Sequence, residues 1–402
     1  MRRSSDGSAP PRLGRTGYFW AAASVLALGL WSSGSPSVLY PIYADRWDLA
    51  PVVVTSVFAT YQLSLMVVLP LFGNLSDLYG RRRVMIVGIA LIGLSALVFA
   101  LAPNVVFLYA GRVLQGAGTG LTVGAATAAL TENNPTANPR FASTTATVAT
   151  ATGLACALVL SGVLAEHFPL PLVWSYIVLL GLAAVSIIAL VLSPDDRPAA
   201  RARWRPQAPY VPAGMRLGFL IATLSAALAY CVGALFLSLG ATMIDQFTST
   251  DNTAVVGGLL GASAACIGLT GLFLGRARAG ALVAAGALAT VLSVGLMAVA
   301  SAFESLPLFF AWCIVGGIAY SLAFTGGLGV INRIAPDEHR GAVLSLLYLV
   351  AYTLQAVAVL GVGVLATAGS LGAAVGIAAV VLAVVCVTVL ALLLVDRRAG
   401  AA

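Results

Sequence analysis

The sequence predicts an all-α integral membrane protein, with twelve transmembrane helices in two pseudo-symmetric six-helix bundles. Three observations carry that prediction. The 402 residues are 60% hydrophobic and only 9% charged, with a mean hydropathy of +1.01, which belongs to membrane rather than soluble chains. Apolar runs recur at about 20 residues, the length a helix needs to cross roughly 30 Å of hydrocarbon. Water cannot satisfy backbone groups there, so long apolar runs mean helices, whereas barrel strands would show short alternating segments. Finally, every basic residue is an arginine, and the arginines fall on alternate connections.

The spans lie near 18–41, 52–72, 84–102, 105–130, 141–165 and 172–193, then 217–243, 253–274, 281–302, 308–332, 342–367 and 373–395. With a cytoplasmic N-terminus, nineteen of the 21 arginines fall in cytoplasmic segments; Arg46 lies outside and Arg112 within the fourth span. This bias sets orientation under the positive-inside rule. The expected location is the cell (inner) membrane, crossed many times, with both termini cytoplasmic. The first span is too long for the apolar region of a signal peptide, and Gly34-Ser35-Pro36 predicts a break in its helix. The stretch PDDRPAARARWRPQAPYVPAGMR, rich in proline and arginine, reads as a linker between two halves. The organisation is then a tail 1–17, a bundle 18–193, a linker 194–216, a bundle 217–395 and a tail 396–402.

Several classes of function are excluded. The five cysteines sit inside apolar runs without metal-type spacing, and the two histidines, His167 and His339, fall in loops. No metal site, cofactor or catalytic constellation is expected, hence no enzyme. The net charge of +7 is a topology signal with some attraction to anionic lipid, so nucleic acid is not an expected partner. The expected partners are a small-molecule substrate and the lipid bilayer, with the chain a monomer.

Between the second and third spans runs GNLSDLYGRRRV, with four charges between Asp77 and Arg83. Glycines suit the bends at Gly73 and Gly80. The arginines hold the loop in the cytoplasm, which accounts for Arg82 and Arg83; a topology marker has no use for Asp77. Shifted by 195 residues, the stretch lands on GLTGLFLGRARA, matching Gly73 with Gly268, Gly80 with Gly275, Arg81 with Arg276 and Arg83 with Arg278, while Asp77 falls on Leu272. An internal repeat of this kind fits two bundles.

These features together resemble the major facilitator superfamily of secondary transporters, over essentially the whole chain. Gly73, Asp77, Gly80, Arg81 and Arg82 occupy the signature positions of that family's loop between helices 2 and 3. Arg112, Gln115 and Gly116 in LYAGRVLQGAGTG resemble its helix-4 motif, and Pro336, Arg340 and Gly341 its loop before helix 11. The fifth span, ATGLACALVLSG, lacks the Gly-Pro signature of drug antiporters, and the first lacks their acidic motif. The resemblance implies that Asp77 lies beside the N-terminus of helix 11, near Gly341. There it would clamp the cytoplasmic side of an outward-facing carrier, a contact worth roughly 0.3–2 kcal/mol. Gly73, Asp77, Gly80, Arg81 and Gly341 form this expected latch.

Arg112 lies about 10 Å into the membrane at 1.5 Å per residue, where an arginine rarely faces lipid. Either it snorkels to the outer interface, or with Gln115 it faces a water-filled pathway. The resemblance links the corresponding arginine to substrate or proton movement. Further pathway candidates are Trp31, Tyr61, Gln62, Tyr230 and Tyr320, with Tyr348, Tyr352 and Gln355 sharing one helix face by their i, i+4, i+7 spacing. No carboxylate lies deep in a span; Asp45, Asp245 and Glu132 are the nearest substitutes for a proton carrier. The function expected is a secondary active transporter moving a small organic solute by alternating access, as proton-coupled efflux with H+ as coupling ion. Solute uptake or facilitated diffusion on the same fold is the alternative, and a carrier-derived membrane sensor a further one.

Overall fold

The computed structural model describes residues 13–72, 75–196, 211, 213–248, 250, 252–274, 277–336 and 340–399. Among them the chain forms thirteen α-helices and no strand. The first half comprises α1 (Arg15–Trp47), α2 (Pro51–Phe72), the short α3 (Leu75–Tyr79), α4 (Arg81–Ala100), α5 (Val105–Glu132), α6 (Pro139–His167) and α7 (Trp174–Val191). The second comprises α8 (Arg216–Thr248), α9 (Thr253–Phe273), α10 (Ala279–Phe303), α11 (Leu306–Ile334), α12 (Arg340–Ala368) and α13 (Leu371–Ala399). Every helix but α3 is long and apolar enough to cross a membrane, giving twelve spans.

One expectation fails in α1, which runs unbroken through Gly34-Ser35-Pro36 and contains Pro36 and Pro41. Proline is tolerated in a packed membrane helix because neighbours take up the freed backbone groups. Around Pro36 the helix is packed on all sides, with Ser33, Gly34, Ser35, Pro36 and Ser37 all buried.

Each half builds its own apolar core. One gathers mainly residues of α1 to α7 around Phe19, Phe58 and Phe99, with Ala234 and Val359 from the second half; the other gathers mainly α8 to α13 around Phe236, Phe309 and Trp312, with Val38 and Leu158 from the first. Outward-facing apolar side chains such as Val87, Leu94, Val185, Leu288 and Val384 are exposed, as lipid allows. The halves meet where α6 packs on α9 and α12 on α2. The two pairings are the same contact related by the repeat, since α6 corresponds to α12 and α2 to α9.

Helix ends also correct the register of that repeat. Leu272 lies in the last turn of α9, matching Leu71 at the end of α2, and Phe72 matches Phe273. Asp77 belongs instead to α3, which has no helical counterpart among the described residues between α9 and α10. The 195-residue shift aligned loop letters across connections of different length.

Candidate functional site

A cavity of about 1100 Å³ lies between the two halves. It is lined from α1, α2, α5 and α6 on one side and α8, α9, α11 and α12 on the other, with nothing from α4, α7, α10 or α13. Its lining continues to the arginine-rich ends of the helices, where Thr131, Thr147 and Asn332 are exposed. The cavity therefore opens at the end that carries the start of α1.

Seven of the residues singled out from sequence line this space: Tyr61, Gln62, Tyr230, Tyr320, Tyr348, Tyr352 and Gln355. Trp31, Arg112 and Gln115 are not among the lining residues. On α1 the lining residues are Leu30 and Ser33, one helix face apart by three positions, and Trp31 is turned about 100° from Leu30. It packs instead on the core of the first half.

Arg112 shares the face of α5 that carries Thr119 and Val123, but sits two turns further from the mouth, under the cavity floor. It is completely buried, which rules out snorkelling in this structure. Its Nε donates to the Tyr40 hydroxyl at 3.1 Å, and Nη2 donates to the same oxygen. Nη1 donates to the Ser33 carbonyl at 3.2 Å and to Gln115 Oε1 at 3.0 Å. The rings of Tyr40, Phe58 and Tyr61 lie 5.5, 5.9 and 5.8 Å from the guanidinium carbon. Among the described residues Arg112 has no carboxylate partner, so neutral oxygens and aromatic faces hold the charge. Ser33 and Tyr61 contact both this socket and the cavity, and separate the two. Tyr40 was absent from the sequence reading, because its pairing across 72 positions leaves no local signal.

The far end of the cavity is shut by two seams. In one, Thr253 at the start of α9 donates its N–H to Glu166 Oε2 at 2.8 Å and its hydroxyl to the same oxygen at 2.9 Å. The helices come close at Gly162 and Gly257, where a Cβ on Gly257 would lie 2.5 Å from the Leu158 carbonyl. In the other seam, Val52 at the start of α2 donates its N–H to the Thr367 hydroxyl at 3.0 Å, and Gly363 rests against Thr55. Gly162, Glu166 and Val52 each lie 201 positions before Gly363, Thr367 and Thr253, so the repeat builds both seams with one geometry. Glu166 carries no local sequence signal for this task, because its partner lies 87 positions away.

At the arginine-rich end lies the expected latch cluster. Asp77 forms an ion pair with Arg81, which also donates to Ser76 Oγ at 2.7 Å and to Glu132 Oε1 at 3.1 Å. The Asp77 side chain is 55% exposed. Gly80 has φ +92°, a conformation that favours glycine, and a Cβ there would meet Asp196. Arg82, read from sequence as a topology marker alone, has a structural task. Its N–H donates to the Asp196 carboxylate at 3.0 Å and its guanidinium to the Ser193 carbonyl at 2.5 Å. Asp196, which also accepts from the Tyr18 hydroxyl at 2.6 Å, thus caps α4 from outside the helix. Gly341 lies in the first turn of α12, and Gly73 falls outside the described residues.

Comparison with known proteins fits this architecture. The family model of the Major Facilitator Superfamily matches residues 20–303. The chain is 36% identical over 132 residues to the lincomycin resistance protein of Streptomyces lincolnensis, covering 32% of this chain and 26% of that protein. It is 29% identical over 201 residues to the cephamycin export protein CmcT of Amycolatopsis lactamdurans, covering 48% of this chain and 41% of that one. The matches therefore span less than half the length of either relative. A solved bacterial homologue of the human lysosomal transporter Spinster, in an inward-facing and occupied conformation, superposes with a TM-score of 0.72 at 16% identity over 98% of both chains. At that identity the likeness speaks for the fold.

Proposed function

Because the chain belongs to the Major Facilitator Superfamily, we propose that it is a secondary carrier that exports a small organic solute by alternating access. The observation that carries this reading is a solute-sized cavity between two repeats, open at one end and shut at the other by paired seams. A packed membrane protein has no structural need for such a space, and drug-sized ligands occupy pockets of about 300–1,000 Å³. The arginine bias supports placing the open end in the cytoplasm, with both termini there and the membrane being the cell membrane. The conformation is then the one that loads solute from inside. Export is supported by the names of the two relatives, a resistance protein and an export protein.

Arg112 fits a part in the transition. Its socket lies under the floor of the inward cavity, so opening the outer end brings it from a dry site to the edge of the pathway. Asp77 fits the opposite part, freed for Arg81 while the inner end is open and available to α12 when it closes.

Proton coupling belongs to the proposal, and one observation favours uncoupled, facilitated diffusion instead. Among the described residues no carboxylate lines the cavity, and Glu132 is engaged by Arg81. The test uses purified protein in sealed proteoliposomes loaded with small organic solutes, uncharged aromatic glycosides among them. Efflux that accelerates when the outside is made acidic supports coupled export. Downhill flux independent of the pH gradient assigns uncoupled diffusion, and no protein-dependent flux of any solute removes the carrier reading.

A further inference from the structure

The cavity has two chemically different walls, and its occupant must match both. The wall from the second half is aromatic. Tyr230 stacks on Tyr352 with ring centroids 4.6 Å apart and on Phe324 at 5.5 Å, while Tyr320 lies 5.9 Å from Phe324. All four rings line the space. Such a surface offers flat apolar faces that stack with a ring system.

The wall from the first half is lined with hydroxyls. Thr127 and Thr131 on α5, with Thr147 and Thr150 on α6, all line the cavity. Each donates its proton to a carbonyl of its own helix: Thr127 to Val123 at 2.8 Å, Thr131 to Thr127 at 3.0 Å, Thr147 to Ser143 at 3.1 Å and Thr150 to Ala146 at 2.9 Å. With the donor used, a hydroxyl presents only acceptor lone pairs to the cavity. Gln62 and Gln355, one from each half, also line the space, and each amide pairs an acceptor oxygen with NH2 donors. The hydroxyl wall is thus rich in acceptors and asks for O–H or N–H groups on the ligand.

Charge narrows the class further. Among the described residues no arginine, aspartate, glutamate or histidine lines the cavity. An ionised solute buried there would lose water without gaining a counter-charge. Arg112 lies beneath the floor with no carboxylate partner among the described residues, and its field opposes a cation. From these three features we infer that the solute is an uncharged amphipathic molecule, with a flat ring system on one side and several hydroxyl or amide donors on the other. This inference rests on the reading of the cavity as the transport site.

A matched set of probes tests it on the full-length protein in lipid nanodiscs: 2-naphthyl β-glucoside, 2-naphthyl β-glucuronide, methyl β-glucoside and tetraphenylphosphonium. The naphthyl glucoside should bind at least about tenfold more tightly than the glucuronide, which adds one carboxylate, and than methyl glucoside, which lacks the ring. Tyr352→Leu should weaken the naphthyl glucoside by roughly three- to tenfold. Thr127→Val with Thr150→Val should weaken it by a similar factor, about that of one or two hydrogen bonds, while leaving the affinity for 2-methoxynaphthalene unchanged. Equal or tighter binding of the glucuronide or of tetraphenylphosphonium overturns the inference, and so does failure of the naphthyl glucoside to bind. Flux in proteoliposomes separates this inference from the carrier reading. A glucoside that binds and is not moved leaves the ligand class standing and removes transport. A cation that is moved while the glucoside is ignored leaves transport standing and removes the ligand class.

Discussion

The two seams at the closed end of the cavity share one geometry and differ in one chemical group. In both, a glycine lets two helices approach, and four positions later a side-chain oxygen receives the N–H at the start of the facing helix. Between α6 and α9 that oxygen belongs to the Glu166 carboxylate; between α12 and α2 it belongs to the Thr367 hydroxyl. A helix N-terminus carries unpaired N–H groups and partial positive charge, so the carboxylate makes a charge-assisted bond where the hydroxyl makes a neutral one. Close packing is thus common to both seams, while electrostatic fastening is confined to one. The acid is exposed and water screens it, so its hold is modest and easily released.

The largest effect is expected at the close approach of α6 and α9, where Gly257 faces Gly162. Gly257→Ala drives a Cβ into the Leu158 carbonyl, and overpacking of this kind costs about 1–3 kcal/mol. The outer-closed state should become about five- to a hundredfold less populated. A cysteine at Val38, buried from α1 within the core of the second half, should then react faster with an impermeant reagent added outside. Gly258→Ala, with nothing within 4 Å of the added Cβ, should leave that rate unchanged. Glu166→Gln keeps the shape and removes the charge, and should raise outer labelling by about two- to tenfold. Asp77→Asn should move the equilibrium the other way by about two- to fivefold, a partial effect because the acid is exposed and held by Arg81. A cysteine at Asn332, exposed at the cavity mouth, should label faster from inside. Thr367→Val should produce the smallest change, at most about threefold. If Thr367→Val and Glu166→Gln have equal effects, the two seams are fastened by packing alone.

What was legible in the sequence follows from the range of the interactions. Hydropathy is a sum over neighbours, so the spans were readable, as was the special backbone at Gly80. The aromatic face of α12 was readable too, because Tyr348, Tyr352 and Gln355 fall on one side of one helix. Arg112 could be recognised as an anomaly, but its socket depends on Tyr40, 72 positions away. The Asp196 cap on α4 reaches across 114 positions from a segment that read as linker. Glu166 and Thr367 became comparable only when helix ends set the repeat at 201 positions, since letter matching across a shortened connection had given 195. The break expected at Pro36 failed because local propensity cannot anticipate the packing that tolerates a proline.

Alternating access requires the two ends of the cavity to open and close in opposition. It is tested most directly by electron–electron distance measurements on two pairs of spin labels in the cysteine-free protein. One pair spans the cavity mouth at Thr131 and Asn332; the other spans the closed end at Leu170 and Phe303, both exposed. Introducing Gly257→Ala should shift the mouth pair toward a shorter distance and the far pair toward a longer one, with matching changes in population. If the far pair lengthens while the mouth pair stays as it was, the seams are not coupled to the opposite gate, and alternating access fails for this chain.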